Sequence, residues 1–222
     1  MKKIILTLLT TTFLFSCGGS TPSSNSDSES STGTEENASS GKELISKNFD
    51  YKIFSDEAEV KKVVEGVIAK AGDNMSKLDK IDIWISRPSK EGSIRRDKPD
   101  YATITLTYLN PDDAKKLFEY RYDSDNGGWD KGQAKTVRLV TGNKETFVLA
   151  NEMYDASALT SDMVAQAVKE AWAKYKNEAK YSDQWVRGII IKNGQIEVGV
   201  RGILSANDLE KTEYYKKKIA KK

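Results

Sequence analysis

The stretch WVRGIIIKNGQIEVGV, residues 185–200, decides how this chain folds. Asn193-Gly194 separates two apolar runs. That dipeptide favours a type I′ hairpin, whose two central residues both take positive φ. A two-residue turn fixes the register: Ile191 faces Ile196, and Ile189 faces Val198. Side chains alternate along a strand, so these four share one face, and simple alternation adds Trp185 and Val200 to it. A hairpin this apolar on one side needs a second layer to cover it.

The covering layer is legible just upstream. Thr160-Ser161-Asp162 has the chemistry of a helix start. Val164, Ala167, Val168, Ala171, Trp172 and Tyr175 then recur at helical spacing. An earlier helix has the same form. Ser55-Asp56-Glu57 caps it, Val60, Val63, Val64, Val67 and Ala71 make its stripe, and Gly72 ends it. Ile81, Ile83 and Ile85 alternate with polar residues and predict a strand, as do Ala102, Ile104, Leu106 and Tyr108. A polar, basic loop, Arg87 to Pro99, lies between them. Asn110-Pro111-Asp112-Asp113 reads as a turn or a helix start. Phe118, Tyr120 and Tyr122 predict a third strand. Asp125-Asn126-Gly127-Gly128 is a turn, with a returning strand from Trp129 or around Val137 to Val140. Phe147 to Leu149 is expected to add a short strand.

These pieces suggest a repeat. The first helix stripe maps onto the second at an offset of 104, Val60 onto Val164. Tyr101–Leu109 maps onto Ile196–Leu204 at 95, and Asp113, Lys116 and Tyr120 map onto Asp208, Lys211 and Tyr215 at the same offset. The expected fold class is α+β: two tandem units, 42–155 and 156–222, each a helix packed on a small antiparallel β-sheet. The second unit ends in a basic tail. This pattern is loosely similar to the tandem helix-and-sheet repeats of PepSY-like and beta-lactamase-inhibitor-like periplasmic proteins. The similarity is one of pattern, and no functional residue is carried over with it.

The N-terminal portion is of another kind. Lys2 and Lys3 precede an apolar run of 12 residues, Ile4 to Phe15, broken only by threonines. That layout is a secretory signal, too short for a bilayer span of ~20 residues. It ends in Leu14-Phe15-Ser16-Cys17, which resembles the bacterial lipobox. The resemblance implies cleavage after residue 16 and acylation of Cys17, hence a lipid bilayer as partner. Residue 18 is Gly, not the Asp that retains such proteins at the inner membrane of many enteric bacteria. The resemblance therefore implies the outer membrane, and with no acid after Cys17 before Asp27 the periplasmic face is expected over the cell surface. Residues 17–41 hold no aromatic or large aliphatic side chain. A segment of that composition cannot build a core and is expected to be a disordered tether, roughly 25–30 Å in mean span.

Composition narrows the chemistry. The chain has no histidine and a single cysteine, Cys17. Nucleophile systems that need histidine and the usual His/Cys zinc sites are excluded, and no metal or other cofactor is expected. Residues 42–222 carry 33 basic and 29 acidic side chains, too small an excess for a nucleic-acid binder.

Among residues with surface chemistry, Trp84 stands out, because alternation turns it away from Ile81, Ile83 and Ile85 and among threonines. Tyr120, Tyr122 and Trp129 form a second aromatic group, expected first as cross-strand packing in the hairpin and otherwise as a binding surface, and Arg95 and Arg96 a basic patch. Trp172 and Trp185 are assigned to core packing. Asp123 to Asp130 resembles a calcium loop only in part, since its fifth position is Gly127. Asp112-Asp113, beside a proline, suits a turn better than an acid–base pair. The expected function is therefore a non-enzymatic binding or interaction module of the envelope, meeting a protein or a glycan. The alternatives are a carboxylate-based hydrolase and an inhibitor-like or structural protein.

Overall fold

The computed structural model describes residues 43–87, 99–138 and 146–219. Helix α1 spans Glu57–Ala71 and helix α2 spans Ser161–Tyr175. The strands are β1 Leu78–Ser86, β2 Tyr101–Leu109, β3 Lys116–Asp123, β4 Gly128–Trp129, β5 Gln133–Thr136, β6 Tyr181–Lys192, β7 Gln195–Leu204 and β8 Glu210–Lys218. All join one antiparallel sheet in the order β4-β3-β2-β1-β6-β7-β8, with β5 also on β3. The architecture is α+β, with both helices in one layer against one sheet face.

Local chemistry accounts for the helix ends. The Asp56 carboxylate accepts the Ala58 N–H at 2.8 Å, and Gly72 leaves α1 at φ 53°. Thr160 caps α2 by accepting the Met163 N–H at 3.3 Å. The stripes Val60, Val63, Val64, Val67 and Val164, Ala167, Val168, Ala171 are all buried. They lie on Ile81, Ile83, Ile85, Ile104, Leu106, Ile189, Ile191, Ile196 and Val198, all at most 1% exposed. Each such aliphatic side chain contributes ~1.5–3 kcal/mol of transfer free energy.

The hairpin turn forms at Asn193 (φ 51°) and Gly194 (φ 71°), with Ile191 opposite Ile196 and Ile189 opposite Val198. One expectation fails two residues further on. A β-bulge at Arg187 sets Val186, not Trp185, opposite Val200. One inserted residue flips the alternation, so Trp185 pairs with Arg201 on the face away from the helices. Trp185 is still buried, but on the other side of the sheet from the main core.

Two more expectations are corrected, and one of two placements is selected. Phe147–Leu149 forms no strand, and Leu149 opens a 3-10 turn, Leu149–Glu152. The returning segment pairs with β3 from Gly128 to Thr136, as β4 and β5, which is the placement from Trp129; residues 139 and 140 of the other placement lie outside the described residues. The offset of 95 maps Ile104 and Leu106 onto Gly199 and Arg201, yet the first two face the helices and the last two face away. An odd offset between strands exchanges faces, so that equivalence does not hold for β2 and β7.

The basic tail is described through Ile219. Lysines 216 to 218 belong to β8, an edge strand. Lys216 pairs with Glu197 at 2.7 Å and Lys217 with Glu170 of α2 at 2.8 Å. Hydrogen bonds from Lys217, Tyr215 and Gln166 hold the Glu170 carboxyl down at about 2, which ties the helix layer to the edge of the sheet. Charged residues on an exposed edge also discourage pairing with another chain.

Residues 43–55 cross the end of the sheet where β1 and β3 finish and β2 and β6 begin. Leu44 lies where a side chain on Gly66 of α1 would stand, 2.1 Å from the position of its Cβ. The Ile45 N–H donates to the Tyr122 hydroxyl at 3.1 Å, and that hydroxyl donates back to the Ile45 carbonyl at 2.9 Å. Phe54 then enters the core.

Candidate functional site: the uncovered face of the sheet

Both helices occupy one face, so among the described residues no helix layer covers the other. On β2 its residues are Thr103, Thr105 and Thr107. On β1 they are Asp82 and Trp84, on β6 Gly188 and Ile190, on β7 Gly199 and Arg201, and on β8 Tyr214. Trp84 is half-buried there, as alternation predicts. It lies across Gly188: a Cβ at that position would come within 2.8 Å of the Trp84 ring. Glycine is what lets the indole lie flat on its neighbour strand. The Arg187 guanidinium sits 5.2 Å from the Trp84 ring centre, a cation–π contact. The bulge delivers this arginine to the open face beside Gly188.

Next to this stack, Trp185 meets Tyr51 edge-on at 5.3 Å, and Arg87 lies 4.5 Å over Tyr51. Asp183 is the hub of the cluster. It accepts from Lys52 at 2.7 Å, from Arg87 at 2.8 Å and from the Tyr51 hydroxyl at 2.5 Å. Burial pushes its carboxyl up, but Lys52, Tyr51 and Arg87 outweigh burial and leave it below the usual aspartate range. Tyr51 is pushed up, first by burial and then by its bond to Asp183. Around this hub runs a cleft of about 230 Å³ whose walls include Lys52, Trp172, Lys176, Tyr181 and Asp183. Trp172, assigned to the core from its spacing, is half-buried at this cleft. Toward β3, Glu119 is a buried acid held by Arg121 at 2.7 Å and by Lys135. Burial pushes its carboxyl up, and the bonds from Lys135 and Arg121 overcome that and lower it.

The other aromatic group lies elsewhere. Tyr120, Tyr122 and Trp129 point to the helix side and stack edge-on, Tyr122 to Trp129 at 5.7 Å. Tyr122 is 1% exposed and its hydroxyl is taken by Ile45, so it offers no binding surface. Tyr120 packs on Phe118 and Tyr108 with Lys70 3.8 Å over its ring. Arg95, Arg96 and Cys17 lie outside the described residues.

The acids weighed from the sequence serve turns. Asp113 pairs with Lys116 at 2.9 Å. Asp123 accepts the Asp125 N–H, and Asp130 accepts the N–H groups of Arg121 and Gly132. Among the described residues, no three His, Cys, Asp or Glu side chains gather as metal ligands.

Sequence reading missed Arg187, Arg201, Asp183 and Tyr51. Gly188 within a predicted strand was the available signal, since such a glycine marks a bulge or a close approach. Arg201 follows once the bulge is placed. Asp183 and Tyr51 are 132 residues apart and carry no local pattern. Comparison with family models, with curated proteins and with solved structures finds no match to this chain.

Proposed function

We propose that this chain is an envelope lipoprotein. In this reading its α+β domain is tethered through acylated Cys17 and acts as a non-enzymatic binding module. The uncovered sheet face is its binding surface. One observation carries the reading: Trp84 stands half-exposed on a face without a helix layer, held flat by Gly188 and capped by Arg187. A fixed aromatic ring beside an arginine and a row of threonines suits a sugar ring or a protein anchor, and needs no reaction to be useful. The partner is an envelope protein or glycan. The outer membrane, periplasmic face, is the proposed location.

Within this proposal the domain arose by duplication of an α-β-β-β unit. Both helices are 15 residues long and start 104 residues apart, and each precedes a run of three antiparallel strands. The two units share one sheet because β1 and β6 pair at its centre.

Fractionation of cells carrying wild type or Cys17→Ala tests the tether. Wild type is expected in the membrane fraction and the variant in the soluble one. Equal membrane association of the two defeats lipid anchoring.

A further inference from the structure

Two buried donors on the uncovered face have no acceptor among the described residues. They are Trp185 Nε1 and Arg201 Nε. The two residues are not scattered: they are Cα partners across β6 and β7, on the same side of the sheet. Trp185 is 2% exposed, so its N–H has no recourse to bulk water. Buried donors are almost always paired in folded proteins, and two orphans side by side mark a place where an acceptor belongs. Indole N–H and guanidinium N–H are both donors only, so neither can satisfy the other.

The charge around the pair has the matching sign. Arg201 uses its Nη2 on Glu210 at 2.6 Å, which leaves Nε free. Arg87 lies 5.7 Å from the Trp185 ring, and its charge is shared with Lys52 on the single carboxylate of Asp183. Arg187 forms no ion pair among the described residues and spends its guanidinium on the Trp84 ring. Burial first, and the Arg187 charge second, lower the affinity of Arg201 for its own proton. Like charges are crowded here, and an anion relieves that crowding. The Arg201 side chain is 24% exposed, which gives a way in from solvent.

We propose that Trp185 Nε1 and Arg201 Nε, flanked by Arg187 and Arg87, bind one phosphate-type oxyanion, free or as an ester group on an envelope lipid or polymer. Guanidinium groups are weakly hydrated and match such oxygens geometrically, and the indole N–H supplies a donor fixed by its own packing. The inference deepens the reading of the uncovered face as a binding surface, and it names the chemistry that face accepts. The site lies beside Trp84, so one ligand can place a ring on the indole and an anionic group on the arginine pair.

The test follows the four tryptophan indole N–H resonances of the protein by NMR, with Trp185→Phe assigning the one of interest. Inorganic phosphate is titrated against sodium chloride at equal ionic strength. The expected result is a saturable shift of the Trp185 resonance with phosphate and not with chloride. Affinity is expected to fall about tenfold or more in Arg201→Gln, the loss of one charge-assisted hydrogen bond. Arg187→Gln, at a half-exposed position, is expected to weaken binding in the same direction and covers the case in which Arg201→Gln does not fold. An unmoved Trp185 resonance, an equal response to chloride, or unchanged affinity in Arg187→Gln overturns the site. A second arm uses phosphatidylcholine vesicles with and without phosphatidylglycerol. Phosphate-competed co-sedimentation with the anionic vesicles supports the site and assigns a lipid headgroup. A phosphate shift without co-sedimentation supports it and assigns a free anion or soluble ester. Failure of the phosphate arm leaves Trp84 as a binding residue intact, because that reading is tested by ligand contact at the ring.

Discussion

Ile83→Ala and Ile189→Ala are each expected to cost about 2–5 kcal/mol of folding stability. The two residues are Cα partners in the β1–β6 pair at the centre of the sheet, and both are 0% exposed. Each truncation removes three buried carbon atoms and leaves a cavity that the helix layer cannot collapse into, since Val63, Val64, Ala167 and Val168 are locked by their own helices. Domains of this size have roughly 5–15 kcal/mol in all, so either change consumes much of the margin. The two effects are not expected to add, because the residues share one cavity. Ile190→Ala is the internal control. Ile190 lies between Ile189 and Ile191 but faces away from the helices and is half-buried, and its loss is expected to cost under about 1.5 kcal/mol. Urea unfolding followed by circular dichroism measures all three. Equal losses at 189 and 190 contradict the assignment of faces.

Tyr122→Phe is expected to be the other large effect, about 2–4 kcal/mol, although only one oxygen is removed. That oxygen satisfies both the N–H and the carbonyl of Ile45. Ile45 is 0% exposed, so neither group reaches water once the hydroxyl is gone. Each unpaired backbone group costs about 1–3 kcal/mol. The loss is expected to be local as well as global. Residues 43–50 should exchange their amide hydrogens faster in the variant, while β6 and β7 keep their protection. Uniform loss of protection across the sheet, or a stability change below about 0.5 kcal/mol, contradicts the role given to the hydroxyl.

How far the sequence led depends on the distance over which each signal acts. Helix caps, the stripes of α1 and α2, and the Asn193-Gly194 turn are local and were legible, because they follow from φ preference and period. Strand alternation predicted the exposed side of Trp84 correctly. It fails at Trp185, since the bulge at Arg187 reverses positions 183 to 186, and simple alternation runs through Gly188 without a break. The tail was read for its charge, which concealed the alternation of Lys211, Glu213, Tyr215 and Lys217 toward the helices in β8. The packing of Tyr122 with Trp129 follows from strand alternation, but its full burial does not, because the segment that covers it, around Ile45, has no periodic signal of its own. The joining of all eight strands into one sheet depends on the β1–β6 pairing, between residues about 110 apart such as Lys80 and Lys192. No local pattern reports such a pairing.

The central claim is that ligand meets the face carrying Trp84 and Arg187, away from the helices. Site-specific photo-crosslinking in the full-length protein, in its own envelope, tests it most directly. A photoreactive residue is placed at Thr105 or Ile190 on the uncovered face, and at Lys62 or Lys169 on exposed positions of α1 and α2. The account expects a discrete adduct from positions 105 and 190, lost when Trp84→Ala is added, and none from 62 and 169. Adducts from the helix positions alone, or adducts from 105 and 190 that persist without Trp84, would contradict it.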